Sequence, residues 1–154
     1  MELNDIISPD SILANLKPNS KKQLLQELAE AGAAQLGVDV QAVFETLLER
    51  EHLGSTGVGN GVAIPHGKIA GIDRIVGVFA QLAKPVEFDS MDEQPVDIAF
   101  MLLAPEGSGA DHLKALSRIA RVLRNQATLA SIRHASDPDA IYSLLTAQES
   151  ASAA

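Results

Sequence analysis

Val96 to Leu103 reads V-D-I-A-F-M-L-L, a nearly continuous apolar run broken by one aspartate. A run of that kind predicts the central strand of a sheet. From Ile75 to Leu82 the pattern is similar: Val76, Val78, Ala80 and Leu82 alternate with Ile75, Gly77, Phe79 and Gln81. Both sets are largely apolar, which predicts a strand covered on both faces. Val62 to Ile64 predicts a further short strand, and Val86 to Phe88, following Pro85, predicts a short edge strand.

Such a sheet needs helices over it. Ser20 opens S-K-K-Q, a capping-box pattern, and the apolar residues at 24, 25, 28, 29 and 36 then follow helical spacing, so a helix is expected over 21–36. Asp39 can cap a second helix in which Val40, Val43, Phe44, Leu47 and Leu48 form one stripe, ending near Leu53 and Gly54. Ser108-Gly-Ala-Asp111 resembles another capping opening, with Leu113, Leu116, Ile119, Ala120 and Leu123 as the buried face of a third helix. Shorter helices are expected after Asn125 and after Asp137, where Pro138 suits the first helical position. The expected fold is one α/β domain, a mixed sheet flanked by helices on both faces, over residues 1–147; the Ala/Ser-rich tail 148–154 is expected to fray.

At 154 residues the chain can bury about 70% of its unfolded surface without staples. It has no cysteine, which excludes a disulfide framework, a thiolate metal site and a cysteine nucleophile, and fits a reducing compartment. The N-terminal M-E-L-N-D-I-I-S-P lacks the basic and apolar regions of an export signal, and no stretch approaches 18 apolar residues, so a cytoplasmic protein without membrane insertion is expected. The net charge of −8 opposes nonspecific contact with nucleic acid or anionic membrane and predicts partners with a basic face, although solubility alone would account for an acidic surface. With 3% aromatic residues and no tryptophan, base-stacking platforms are not expected.

Chemistry concentrates between Gly57 and Lys68, G-V-G-N-G-V-A-I-P-H-G-K. Glycines at 57, 59 and 61 leave backbone amides open to a ligand, while Pro65 restricts the chain before His66 and Gly67 frees it after. This is the layout of a presented imidazole; its dull counterpart is a histidine bonded to a loop carbonyl. The segment is neither G-x-G-x-x-G nor a P-loop, since Ile69 stands where the latter needs a hydroxyl. Imidazole suits phosphoryl relay because its ordinary pKa near 6.5 leaves a neutral nitrogen available at cell pH.

Ser55 to Lys68 resembles the active-site signature of the fructose/mannitol-type enzyme IIA of the bacterial phosphoenolpyruvate-dependent phosphotransferase system. Pro85 to Glu106, P-V-E-F-D-S-M-D-E-Q-P-V-D-I-A-F-M-L-L-A-P-E, and H-L-K-A-L-S-R-I-A from His112 resemble its second half. Asn60-Gly61, I-I-S-P-D-S-I-L near the start and S-K-K-Q-L-L at Ser20 are most similar to the nitrogen-related branch. The resemblance implies the same α/β layout and a phosphotransferase working through a phosphohistidine intermediate. Nε2 of His66 would take the phosphoryl group from an HPr-like donor protein, with no cofactor and no bound metal. The regulatory branch further implies an output through target proteins chosen by phosphorylation state. The alternatives are a sugar-branch IIA and a phosphorylation-independent module gripping a small anion.

Two more residues are candidates. His112 falls near the start of the third helix, where free amides favour a phosphoryl group, or else it is a capping or core histidine. The resemblance implies an accessory histidine there, facing His66. Arg50 continues the stripe Val43, Leu47, Arg50 and can project its guanidinium past the apolar surface, or simply favour a helix C-terminus. The resemblance implies an arginine that steadies the phosphoryl group. Lys68 could add positive charge and Asn60 an amide donor, against the readings of an exposed lysine and a left-handed turn residue. Glu87, Asp89, Asp92 and Glu93 read as a solvated turn, without metal-ligand spacing.

Overall fold

A computed structural model describes residues 2–153, with side chains through residue 147. The expected fraying of the tail from Gln148 lies outside the residues described in full. Two 3-10 turns, Leu3–Asp5 and Pro9–Ser11, lead into β1 (Ile12–Leu16), α1 (Lys21–Leu36) and α2 (Val40–His52). Three short strands follow, β2 (Gly57–Gly59), β3 (Val62–Ala63) and β4 (His66–Ile69). Then come β5 (Val76–Val86), β6 (Val96–Pro105), α3 (Ala110–Leu123), α4 (Gln126–His134) and α5 (Pro138–Ala153).

The strands form one mixed sheet in the order β1-β5-β6-β3-β2, with β4 also paired to β6. Alternate residues of β5 and β6 feed two cores. Val78, Ala80, Met101 and Leu103 pack with Leu24, Leu25 and Leu28 of α1 and Val43 and Leu47 of α2. On the other face Phe79, Phe100 and Leu102 pack with Ile119 of α3, Leu129 and Ile132 of α4, and Ile141 and Leu145 of α5. Helices therefore cover both faces, as the double-sided apolar strands require. Local signals set the helix starts: Ser20 accepts from the Gln23 amide, Asp39 from Ala42 and Asn125 from Thr128.

Three expectations need correction. Val86 to Phe88 is not a separate strand; β5 runs on through Pro85, with a register shift before the pair Val86↔Val96. Pairing with β1 ends at Leu82, so nothing on that side needs the N–H that Pro85 lacks. Helix α3 is capped by Gly109 without a side-chain cap rather than by Ser108. Of its expected buried face, Ile119 and Leu123 are buried, joined by His112, Ala115 and Val122, whereas Leu113 is 67% exposed. Leu116 and Ala120 pack against the same core half-buried, so only Leu113 leaves the expected face, and the polar His112 takes its place at the start of the helix.

The interrupted strand β3–β4 positions the site. Val62 pairs with Ile98, Ala63 with Ala99 and His66 with Leu102, all parallel and at one constant offset. The break at Ile64–Pro65 leaves register intact, and the Pro65 carbonyl still accepts the Leu102 amide at 2.9 Å. His66 therefore opens a strand held by the fully buried centre of β6, beyond the short strand expected at Val62 to Ile64.

Candidate functional site

β4 and its neighbours fix the imidazole of His66. Ile64 donates its amide to the Thr56 carbonyl at 3.0 Å, and its own carbonyl accepts from Nδ1 of His66 at 2.8 Å. A carbonyl can only accept, so Nδ1 carries the proton and Nε2 is left with its lone pair. Arg50 agrees with this assignment: its Nε donates to His66 Nε2 at 3.3 Å, and its Nη1 donates to the Gly54 carbonyl at 2.9 Å. The carbonyl-bonded histidine of the dull reading is thus present at Nδ1, but the other nitrogen is free for chemistry.

Gly67 acts differently from the freedom expected of it. A Cβ there would meet Thr46 Cγ2 at 2.7 Å, so its absence lets β4 press against α2. That close approach brings Arg50 to His66. Thr46, Glu49, Arg50 and Leu53 lie at i, i+3, i+4 and i+7, one face of α2, and with His52, Gly67, Lys68 and His112 they line a cleft of about 570 Å³ at His66. Lys68 shares the strand face of His66 and is exposed at this cleft. A smaller hollow of about 250 Å³, lined by Ser55, Thr56, Val58, Ile64, Leu116 and Ala120, shares Arg50 and His66 with this cleft.

His112, third residue of α3, faces His66 edge-on with ring centroids 5.7 Å apart and planes at 66°. It is buried, and its Nε2 has no hydrogen-bond partner among the described residues. Burial first, then the neighbouring His66 and Lys68, hold its pKa below the ordinary histidine value, favouring the neutral ring. A neutral imidazole can donate one proton to an incoming oxygen, and a buried nitrogen without a partner has reason to find one.

Sequence reasoning missed two features. Glu51 is buried beside Arg50, where it accepts from Lys21 Nζ at 3.0 Å, from the Thr56 amide at 3.0 Å and from the Thr56 hydroxyl. Lys21 also lies 4.5 Å over the Phe88 ring. This cluster ties the start of α1 and the end of α2 to the loop entering β2; nothing in the local sequence pairs residues 21, 51 and 56. The second is the β2–β3 hairpin, in which Asn60 and Gly61 both have positive φ, 57° and 80°, between the pair Gly59↔Val62. Asn-Gly in a two-residue loop is a strong hairpin signal that was there to be read. Asn60 consequently sits at a hairpin tip, its amide bonded to Asp92 and its carbonyl to Arg133, and supplies no donor to His66. The acidic turn fastens loops: Asp92 also accepts from Gln94, and Asp89 lies 3.7 Å from Lys21.

Comparison with known proteins adds an independent line. Residues 5–148 match the family described as phosphoenolpyruvate-dependent sugar phosphotransferase system, EIIA 2. A nitrogen regulatory protein of Bradyrhizobium diazoefficiens is 57% identical over 145 residues, covering 94% of this chain and 95% of that one. One from Escherichia coli is 39% identical over 150 residues, covering 97% and 92%. The crystal structure of nitrogen regulatory protein IIA-Ntr from Neisseria meningitidis superposes with a TM-score of 0.88 at 36% identity, covering 92% and 97%. No helix among the described residues is long and apolar enough to cross a membrane.

Proposed function

The chain belongs to the EIIA 2 family of the phosphoenolpyruvate-dependent phosphotransferase system, and from that premise we propose that it is a phosphocarrier accepting a phosphoryl group on Nε2 of His66 from an HPr-like donor. The observation that carries this reading is the fixed tautomer: Nδ1–H is committed to the Ile64 carbonyl, leaving the Nε2 lone pair beside a guanidinium. In the transfer, a bond forms between Nε2 and phosphorus as the bond from phosphorus to the donor's histidine nitrogen breaks, in line. The leaving nitrogen keeps the electron pair, and no free phosphate forms.

Little covalent work is asked of the protein, so positioning and charge stabilisation suffice. Arg50 moves its N–H from Nε2 to a phosphoryl oxygen as the new bond forms. His112 gives its unpartnered nitrogen, when protonated, to another oxygen, and Lys68 adds positive charge at the cleft rim. The phosphoryl group brings a charge of about −1.5 to −2, which these groups offset. No bound metal is needed.

The output is regulatory: the phosphorylation state of His66 selects which proteins this cytoplasmic carrier binds. Support for this branch over sugar uptake comes from the 57% and 39% identical relatives, both named nitrogen regulatory proteins. The test is incubation with phosphoenolpyruvate and the purified donor proteins, followed by intact-mass measurement. One acid-labile phosphoryl group is expected on the wild type and none on His66→Ala. Labelling that persists in a folded His66→Ala would overturn the assignment.

A further inference from the structure

Charge is unevenly distributed over this acidic chain, and the exception lies next to His66. Lys114, Arg118, Arg121, Arg124 and Arg133 fall between residues 110 and 134 with Asp111 as the only acid, although the whole chain has 12 Lys and Arg against 20 Asp and Glu. Lys114, Ser117, Arg121 and Arg124 follow i, i+3, i+7, i+10 spacing, one stripe of α3, and all four are exposed. Arg133 is neutralised by a two-pronged contact with Asp97, at 2.9 Å from both Nε and Nη2. The side chains of Arg121 and Arg124 have no such partner among the described residues.

The stripe is continuous with the phosphoryl site. Val58 and Ala120 line both the hollow at Arg50 and His66 and a second hollow of about 360 Å³, completed by Gly59, Asn60, Ser117, Arg121, Leu123 and Arg124. Any protein delivering a phosphoryl group to His66 must cover its neighbourhood. A transient encounter buries up to about 600 Å² on each partner and a standard interface about 800 Å², discs of about 14 and 16 Å radius. Arg121 is nine residues beyond His112, about 14 Å along the helix. Between them Val58 and Leu113 are exposed, at 59% and 67%, so apolar contact flanks the cations.

We propose that the Lys114–Ser117–Arg121–Arg124 stripe of α3 is a docking surface for acidic side chains of the donor, on the flank of its phosphohistidine. This rests on the phosphocarrier reading above. Whole-chain charge points to a basic partner; the local field beside His66 points to an acidic contact there, and the local field orients an encounter once the surfaces are within a Debye length. Cations at a helix C-terminus also stabilise the helix itself. That role would lower stability on substitution but would not make a transfer rate depend on salt.

The test is the second-order rate of phosphoryl transfer from the phosphorylated HPr-like donor to wild type and to Arg121→Glu/Arg124→Glu, at low and at high salt. The small donor phosphoramidate, which needs no docking surface, is run in parallel. We expect the reversed variant to be at least tenfold slower at low salt, the gap to close at high salt, and phosphoramidate to label both proteins equally. Lys17→Glu, an exposed site past the end of β1 at the opposite sheet edge, should change neither rate. Unchanged or faster transfer in the double variant, a loss independent of salt, or an equal loss in Lys17→Glu would overturn the docking surface. Failure of phosphoramidate to label wild-type His66 would instead overturn the phosphocarrier reading beneath it.

Discussion

Arg50 bridges two backbone elements through one side chain: Nε reaches Nε2 of His66 at 3.3 Å while Nη1 holds the Gly54 carbonyl at 2.9 Å. The guanidinium is thereby oriented before any substrate arrives, its planar fork divided between structure and chemistry.

Replacing Arg50 with alanine should slow single-turnover transfer about tenfold to a hundredfold, the equivalent of losing a charged hydrogen bond of about 1.5 to 3 kcal/mol. Arg50→Lys should recover part of the rate, because it keeps the charge but lacks the planar fork that spans Gly54 and His66. An unchanged single-turnover rate in Arg50→Ala would return this residue to a helix-capping role.

His112 should assist without receiving the phosphoryl group. His112→Ala is expected to slow transfer or shorten adduct lifetime at an unchanged stoichiometry of one, and His112→Gln to recover part of the loss through its N–H. Peptide mapping that found phosphate on His112 of the wild type would reverse the two roles.

The same residue should leave a mark on stability. Its folded pKa lies below the unfolded value near 6.5, so the unfolded chain takes up the proton first. The stabilisation is complete above pH 6.5 and is lost as pH falls through the lowered folded pKa. Urea unfolding between pH 5 and 7 should therefore show a slope that His112→Gln reduces; an identical slope in that variant would remove His112 as its source.

At Gly67, alanine should cost about 1 to 3 kcal/mol, since a β-branched Thr46 on a packed helix cannot swing away from a new methyl. Transfer should also slow, because α2 must retreat and takes Arg50 with it. The double variant Gly67→Ala/Thr46→Ser removes the clashing methyl and should restore both stability and rate; if Gly67→Ala alone behaves as wild type, the close approach has no role.

Breaking the Glu51–Lys21 pair by Glu51→Ala should destabilise by about 1 to 3 kcal/mol, because the buried Thr56 amide loses its acceptor while Lys21 keeps the Phe88 carbonyl and Asp89. Lys21→Met/Glu51→Leu should recover only part, because the Thr56 amide would still lack its acceptor. Equilibrium denaturation of the three proteins decides this, and full recovery in the double variant would show that Thr56 contributes nothing.

What could be read from the sequence was local. Ser20, Asp39 and Asn125 cap their helices through residues three positions away, and the two long strands declare themselves by apolar content. β1 and β4 do not: H-G-K-I has no strand pattern and is extended because β6 pairs with it. Contact of Arg50 with His66 spans 16 residues, and that of Glu51 with Lys21 spans 30, beyond any periodicity. Family resemblance pointed to Arg50, His66 and His112, which lie together, whereas the close approach at Gly67 and the committed Ile64 carbonyl are tertiary and leave no mark in the sequence.

On the proposed phosphocarrier function, the constant register of β3 and β4 on β6 has a consequence for how a target would read His66. A histidine whose backbone is laddered to the most deeply buried strand cannot move that backbone appreciably without disturbing both cores, so modification at Nε2 leaves the scaffold in place. The phosphorylated and unphosphorylated states of the proposed carrier would then differ in surface potential rather than in shape. A partner that tells them apart must do so as an electrometer does, by the sign of the field at the cleft, and its discrimination should fade as added salt screens that field. Backbone amides of β4 and β6 should exchange with solvent at the same rates in both states.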